Sequence, residues 1–128
     1  MTMRYQLCFL VVFLLGALAA PIERRKSSQF SGDLTYYTPG LGSCGETNTA
    51  TDLIAALNAP QMANGENPNK NPNCGRKARV KTKKGSVTVK IVDTCPPCKS
   101  GDLDLSPAAY KRVGEFADGR IQGTWEWV

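Results

Sequence analysis

The sequence predicts a mainly β domain, a small barrel whose strands are joined by short helices. Residues 77–93 hold two alternating apolar and polar runs separated by Lys-Lys-Gly-Ser, which is the pattern of a β-hairpin. Residues 102–105 and 123–128 alternate in the same way. Two short apolar stripes with helical spacing, one before the hairpin and one before residues 123–128, complete the pattern, and several short strands with small helices are typical of a small barrel.

Residues 1–20 carry the pattern of a secretory signal peptide. Arg4 precedes an apolar run over 7–18, and Ala17-Leu18-Ala19 supplies small residues for cleavage. The run is about a dozen residues long, too short to cross a bilayer comfortably. We therefore expect a secreted, extracellular protein without membrane association after cleavage. The polar residues 21–31 are predicted to be a disordered linker, or a pro-segment processed at Arg24-Arg25.

The remaining residues, 32–128, are enough for one domain. The whole chain has 16 Lys and Arg and 11 Asp and Glu, but the segment before residue 32 holds four of the former and one of the latter. The mature net charge is then only +2, which does not favour nucleic acid as a partner. The chain has no histidine, which excludes Ser-His-Asp and Cys-His catalysis. We expect a monomer without a cofactor.

The elements are predicted in order along the chain. Residues 34–38 form a first strand, which ends at the Pro39-Gly40 turn. Residues 49–57 form a short helix with a capping box at Thr49 and Asp52, closed by Asn58 and Pro60. A long surface loop covers 62–73, because Asn, Gly and Pro dominate it.

The second half of the chain gives the stronger pattern. In the hairpin, Val87, Val89 and Ile91 face one way, and period two places Asp93 on that same face. An unpaired buried carboxylate is costly, so the simplest interpretation is that Asp93 accepts hydrogen bonds from backbone amides of the loop that follows. Ser106 and Pro107 begin a second helix after the strand 102–105. Its apolar stripe comprises Ala109, Tyr110, Val113 and Phe116, and the final strand puts Trp125 and Trp127 on one face.

Four cysteines remain after the leader: Cys44, Cys74, Cys95 and Cys98. Three disulfide pairings are possible. Zinc binding is disfavoured because only Cys95 and Cys98 are close in sequence, and thiol redox chemistry because their motif follows a strand rather than beginning a helix. Export favours disulfides, so no metal site is expected.

Two joined segments resemble a known family. Val92-Asp93-Thr94-Cys95-Pro96-Pro97-Cys98, followed by Asp104-Leu105-Ser106 and Tyr110, is similar to the RlpA-like double-psi β-barrel domain, whose fold occurs in expansins, barwin, kiwellins and family-45 endoglucanases. The opening residues 32–37 and closing residues 124–127 fit the small secreted fungal members, so the resemblance covers 31–128. It implies a six-stranded double-psi β-barrel with two short helices and a shallow groove.

The resemblance also implies which residues line that groove. Asp104 matches the expansin groove acid and the general acid of the endoglucanases, Asp93 matches an aspartate of RlpA-like domains, and Thr35 and Tyr37 match expansin groove residues. The candidate groove residues are Thr35, Tyr36, Tyr37, Asp93, Asp102, Asp104, Trp125 and Trp127. Among the cysteines we expect Cys44 to pair with Cys74, stapling the first helix and long loop, and Cys95 with Cys98, locking the turn beside Asp93.

Departures from the family bear on activity. Inverting glycosidases need a second carboxylate to activate water, and Thr38-Pro39 occupy its place in this chain. Asp102 also replaces the expansin histidine. The resemblance therefore implies a non-catalytic module that binds cell-wall polysaccharide.

Two alternatives remain open. One is a protein-binding module, such as a cysteine-protease inhibitor or an apoplastic effector, which would use the loop 62–73 and the basic hairpin. The simpler explanation of the lysines in that hairpin is that they discourage an exposed sheet edge from pairing with another sheet. The other alternative is a lytic transglycosylase or weak glucanase that uses Asp104 with Asp93.

Overall fold

A computed structural model describes residues 28–128. The predicted signal peptide and most of the predicted linker lie outside the described residues. The strands are β1 (Phe30–Tyr36), β2 (Ile54–Asn58), β3 (Lys77–Lys81), β4 (Ser86–Cys95), β5 (Leu103–Leu105) and β6 (Ile121–Trp127). The helices are α1 (Ala59–Met62) and α2 (Pro107–Val113), and single 3₁₀ turns cover Pro68–Lys70 and Phe116–Asp118. Strand β1 thus begins two residues inside the segment predicted as linker.

The six strands close into one barrel in the order β1-β5-β2-β4-β3-β6. The pairs β1–β5 and β2–β4 are parallel, and the other four are antiparallel. This confirms the predicted six-stranded barrel with two short helices. Because β3 pairs with both β4 and β6, it has no free edge, and the explanation of its lysines as edge guards is wrong.

The core lies inside the barrel and is closed at one end by α2. Leu34, Leu103, Leu105 and Val80 are fully buried there. Helix α2 starts as predicted, with the Ser106 hydroxyl accepting a hydrogen bond from the backbone N–H of Ala109. It adds the buried residues Ala109, Tyr110 and Val113 to the core.

The helix predicted over 49–57 is wrong. Asp52 does accept a hydrogen bond from the backbone N–H of Thr49, at 2.9 Å, but it closes a turn rather than a helix. Residues 54–58 instead form β2, in which every residue is buried. A strand covered on both faces reads as a continuous apolar run, which periodicity cannot distinguish from a buried helix. Asn58, predicted to end a helix, caps the start of α1.

The surface loop predicted over 62–73 is exposed for most of its length but fixed at both ends. Met62 is buried and belongs to α1. Asn71 is also buried, and its amide donates to the Met62 carbonyl at 2.7 Å and to Oδ1 of Asn64 at 2.8 Å. The asparagines that predicted a loop therefore also hold it in one conformation.

A bulge in β4 changes the face on which Asp93 lies. Ala55 of β2 pairs with Ile91, but the next residue, Ala56, pairs with Asp93, so Val92 is an extra residue in β4. Val92 is buried, whereas Asp93 turns to the outer face of the barrel. The prediction that Asp93 shares the face of the buried valines is wrong for this reason.

Both expected disulfides are confirmed: Cys44 with Cys74, and Cys95 with Cys98. The first joins the loop after β1 to the segment before β3. The second closes the turn that follows β4. Among residues 28–128, no helix is long and apolar enough to cross a membrane.

Candidate functional site

A row of outward-facing residues crosses four neighbouring strands. Thr35 of β1 pairs with Asp104 of β5, Asp104 pairs with Ala56 of β2, and Ala56 pairs with Asp93 of β4. The β4 bulge is what places Asp93 in this row. The small Ala56 side chain separates the two carboxylates, which stand two strand spacings apart, about 10 Å between backbones.

Asp104 is half-buried at the centre of the row. The Thr35 hydroxyl donates to its Oδ1 at 2.8 Å. Burial raises the pKa of Asp104, while the Thr35 hydrogen bond and the Arg120 charge oppose the rise and the charge of Asp93 adds to it. This carboxyl group therefore sits in a partly desolvated position with one protein donor.

Asp93 has a different environment. Its Oδ1 accepts hydrogen bonds from the backbone N–H groups of Ser43 and Thr94, both at 2.8 Å. This agrees with the interpretation of Asp93 as an acceptor of backbone amides. Neither donor, however, belongs to the loop after β4, as predicted: Ser43 lies in the loop after β1, and Thr94 lies in β4 itself.

Tyr37 lies within electrostatic range of both acids. Burial raises the pKa of its phenol well above the usual range, and the charges of Asp93 and Asp104 raise it further. The phenol is therefore neutral at physiological pH and can donate a hydrogen bond. Thr35, Tyr37, Asp93 and Asp104 thus lie in one region of the barrel surface.

An open groove of about 360 Å³ runs beside this row. It is lined by Thr35, Tyr36, Cys95, Pro97, Cys98, Asp102, Asp104, Gly119 and Arg120. Asp102 borders the groove, but its two oxygens accept the backbone N–H groups of Asp33 and Lys99, both at 2.9 Å. Arg120 pairs with Asp33 at 2.8 Å, which holds its positive charge at the groove wall.

The aromatic residues at the groove are not the predicted tryptophans. Trp125 is 1% exposed and donates its Nε1–H to the Gly101 carbonyl at 2.8 Å, so the prediction that it lines the groove is wrong. Trp127 is half-buried beneath the Arg76 guanidinium, 3.7 Å from the ring centre, and does not line the groove either. Both pack with the barrel because they share its inward face.

Tyr36 and Phe116 supply the exposed aromatic surface instead. Their rings are 5.1 Å apart, and they remain 38% and 43% exposed. Tyr36 also packs on the buried Tyr110 at 4.7 Å. Phe116 was not expected at the surface, because its spacing in the sequence placed it in the apolar stripe of α2. Helix α2 ends at Val113, and Phe116 begins the following 3₁₀ turn.

The described residues hold no group of three or more side chains that could bind a metal ion. Asp104 has one protein donor and faces the groove, whereas Asp93 and Asp102 satisfy backbone amides. The groove offers a ligand the Asp104 carboxylate, the Arg120 guanidinium and the Tyr36 ring. Tyr37 and Asp93, which were predicted to line it, are not among its lining residues.

Comparison with known proteins agrees with this architecture. The family described as lytic transglycolase, a double-psi β-barrel family, matches residues 29–125. A papain inhibitor from Streptomyces mobaraensis is 32% identical over 98% of this chain and 92% of its own length. An allergen homologue from Arthroderma benhamiae is 33% identical over 78% of this chain, which spans only 38% of that protein.

Solved structures show the same relationship. The Streptomyces papain inhibitor superposes with a TM-score of 0.73 at 31% identity, covering 79% of this chain and 94% of that one. A mutant expansin from Clavibacter michiganensis, in complex with cellohexaose, superposes with a TM-score of 0.69 at 27% identity, covering 79% of this chain and 50% of that one. The inhibitor, the expansin and the allergen homologue are not named as enzymes, whereas the matching family is described by a lytic activity. The fold, the two disulfides and the match over 29–125 together show that this chain belongs to the RlpA-like double-psi β-barrel family.

Proposed function

We propose that this chain is a secreted, non-catalytic module that binds a cell-wall polysaccharide in the groove beside Asp104. The observation that carries the proposal is the position of Asp104, half-buried and open to a groove of about 360 Å³. A carboxylate with free acceptor capacity can bind the hydroxyl groups of a sugar. The expansin relative, solved with cellohexaose, supports a β-linked glucan as the ligand.

The surroundings of Asp104 supply the other contacts that a sugar chain needs. The Arg120 guanidinium, which lines the same groove, is a hydrogen-bond donor. Tyr36 and Phe116 extend the groove with exposed ring surface, on which the apolar face of a sugar can pack. Polar groups fix the orientation of a ligand in such sites, and apolar contact supplies much of the affinity.

The two carboxylates favour binding over hydrolysis. An inverting glycosidase needs a base that can activate water opposite its acid. Asp93 is the second acid of the row, but its Oδ1 accepts hydrogen bonds from two backbone amides. One of these bonds holds the loop that contains Ser43. The position predicted to hold the endoglucanase base is occupied by Thr38 and Pro39.

Co-sedimentation with cellulose, chitin and β-glucan tests the proposal. We expect Asp104→Asn to weaken retention about fivefold, because a hydrogen bond to a charged group contributes roughly 1 kcal/mol more than a neutral one. Glu66→Gln, an exposed acid in the distant loop, is the matched control and should bind normally. Equal retention of wild type and Asp104→Asn, or no retention on any polymer, would contradict the proposal. Release of soluble sugar that Asp104→Asn abolishes would instead establish the lytic alternative.

Inhibition of a cysteine protease is the second candidate function. The papain inhibitor matches nearly all of both chains, whereas the expansin match covers half of that protein. The loop after β1 also carries Leu41, which is 75% exposed and lies three residues before the disulfide-bonded Cys44. A rigid loop with an exposed apolar side chain loses little entropy on docking into a protease cleft.

The same wild-type and Asp104→Asn proteins distinguish the two functions in a papain assay. Leu41 does not line the groove, so an inhibitor using that loop should block papain equally well with and without the Asp104 carboxylate. Inhibition by both proteins, combined with no retention on polysaccharide, would favour the inhibitor. Retention on polysaccharide without inhibition would favour polysaccharide binding in the groove.

A further inference from the structure

A second polar surface lies across the barrel from the groove. It consists of the outward side chains of β3 and their neighbours on β4 and β6, and we call it the basic face. Its members are Lys77, Arg79, Lys81, Lys83, Ser86, Thr88 and Thr124. Strands β3 and β6 are opposite β2 and β5 in the closed order of the barrel. The basic face and the groove can therefore be occupied at the same time.

The positive charge of the domain is concentrated in the segment that contains β3. Residues 67–92 contain eight Lys and Arg and no acid, whereas the rest of residues 28–128 contain four Lys and Arg and ten acids. The groove carries Asp102 and Asp104, with Asp93 at the end of its row. The small net charge of the domain conceals this separation.

The geometry of β3 presents its cations in a regular line. Ala78 and Val80 are fully buried, so Lys77, Arg79 and Lys81 all point outward. Alternate residues of a strand are about 6.8 Å apart, which sets the spacing of the three charges.

Hydroxyl groups stand beside these cations. Arg79 pairs with Thr88 on β4, and Lys81 pairs with Ser86 on β4 and Thr124 on β6. Ser31 of β1 continues the last row, opposite Thr124. The face thus alternates positive charges with hydrogen-bonding hydroxyls, in an arrangement that a chain of acidic sugars can match.

Three cations on β3 face a single acid on the paired residues of β6. The ion pairs of Lys84, Lys90 and Arg120 use other acids, Glu115, Glu46 and Asp33. Glu126 is the acid on the β6 side of the face, and it lies opposite Arg79. Lys77 and Lys81 flank that position. Since β3 has strands on both sides, the charges do not protect an edge.

A shallow cavity of about 550 Å³ extends the face toward the hairpin turn. It is lined by Ser31, Lys81, Thr82, Lys83, Gln122, Gly123 and Thr124. These residues provide ammonium, hydroxyl and amide groups and no carboxylate. A carboxylate bound there would meet two lysines without meeting an acid.

We propose that the basic face binds an acidic polysaccharide, a polyuronate chain whose carboxylates repeat along its length. A protein partner would need an apolar centre in its interface. The large hydrophobic residues exposed in the described chain are Tyr36, Leu41, Phe116 and Val128, and of these only Val128, whose N–H bonds to the Lys77 carbonyl, borders the face. The domain would then hold a neutral glycan in the groove and an acidic glycan on the opposite side.

Binding to polygalacturonate tests this proposal, with fully methyl-esterified pectin as the uncharged probe of the same backbone. We expect binding to polygalacturonate that weakens as salt is added, because salt screens exposed charges, and little binding to the ester. Lys77→Ser with Lys81→Ser should weaken binding about tenfold, from the loss of two exposed charge contacts. The control, Lys70→Ser with Lys99→Ser, removes the same charge from two exposed positions outside the basic face and should leave binding unchanged.

Three results would overturn the proposal. An equal loss in the Lys70 and Lys99 control would show that net charge alone attracts the polymer. Equal binding to the esterified pectin would show that the carboxylates of the polymer are not recognised. Tighter binding to duplex DNA would show that the face binds nucleic acid rather than an acidic polysaccharide. Asp104→Asn leaves the basic face intact, so failure of the groove proposal and failure of this one are separable.

Discussion

The Asp104 carboxyl group is held by a single hydroxyl in a position that is partly removed from water. Burial favours its protonated form, and the Thr35 hydrogen bond at 2.8 Å favours the charged form. A hydrogen bond to a charged group is stronger than one between neutral groups. The Thr35–Asp104 pair is therefore an interaction whose contribution to stability changes with the protonation state of Asp104.

Thr35→Val tests this pair. Loss of the hydroxyl should raise the pKa of Asp104 further, because the donor stabilises the carboxylate. At pH 7 the substitution should lower the free energy of unfolding by about 1.5 kcal/mol, the lower limit for a hydrogen bond to a charged group. The cost should shrink as pH falls through the pKa of Asp104, since the protonated acid loses the charge-assisted bond.

Urea unfolding at pH 7 and in acid measures the effect, in a double-mutant cycle with Asp104→Asn. Thr38→Val is the matched control, because Thr38 is exposed and lies just beyond the same strand. A cost of Thr35→Val that is the same at both pH values would contradict the assignment. So would the absence of coupling between Thr35 and Asp104 at pH 7.

At the scale of elements, the β4 bulge is the feature that assembles the site. Without the extra residue Val92, period two would turn Asp93 toward the barrel interior, as the sequence pattern predicts. The alternation of Val87, Val89 and Ile91 contains no sign of the bulge. The bulge is fixed from outside the strand by the loop after β1, whose Cys44 N–H donates to the Val92 carbonyl at 3.2 Å.

Gly42 is the residue that permits this close contact. A Cβ atom at this position would lie 2.4 Å from the Val92 carbonyl oxygen and 3.2 Å from Cβ of Asp93. We expect Gly42→Ala to destabilise the domain by about 1–3 kcal/mol, the usual cost of overpacking, and to increase hydrogen exchange at Ser43. Gly40→Ala is the control, because a Cβ there meets nothing within 4 Å. Equal stability of the two variants would argue against the contact.

Strand β2 shows why local pattern was insufficient for one element. The run from Ile54 to Leu57 has a cap-like Thr49 and Asp52 before it and a helix-ending Pro60 after it. Its neighbours β4 and β5 lie far along the sequence, and their pairing covers it on both sides. Where pairing was local, as in the β3–β4 hairpin, alternation was enough to predict the strands correctly.

At the scale of the molecule, the sequence motifs predict the barrel and its acids better than its surfaces. The resemblance located Thr35, Tyr37, Asp93 and Asp104, which the closed strand order brings into one region. It did not predict the exposure of Phe116, which depends on where α2 ends. It did not predict the burial of Trp125 either, which depends on the face of β6 that turns into the core. The basic residues of the segment 67–92 are evident in the sequence, but their outward line between β4 and β6 appears only in the closed strand order.

The two disulfides serve different parts of this molecule, and removing each should show the difference. Cys44–Cys74 spans 30 residues and holds the loop whose Ser43 N–H binds Asp93, so Cys44→Ser with Cys74→Ser should cost about 3–4 kcal/mol by the loop-entropy relation.

Cys95–Cys98 spans three residues and lines the groove, so Cys95→Ser with Cys98→Ser should cost about 2 kcal/mol by the same relation. Urea unfolding measures both costs, and co-sedimentation with glucan measures binding under conditions where each variant stays folded. Since Cys95–Cys98 borders the groove and Cys44–Cys74 does not, the less destabilised variant should lose more binding. If binding instead falls in proportion to stability, the groove is not the ligand site.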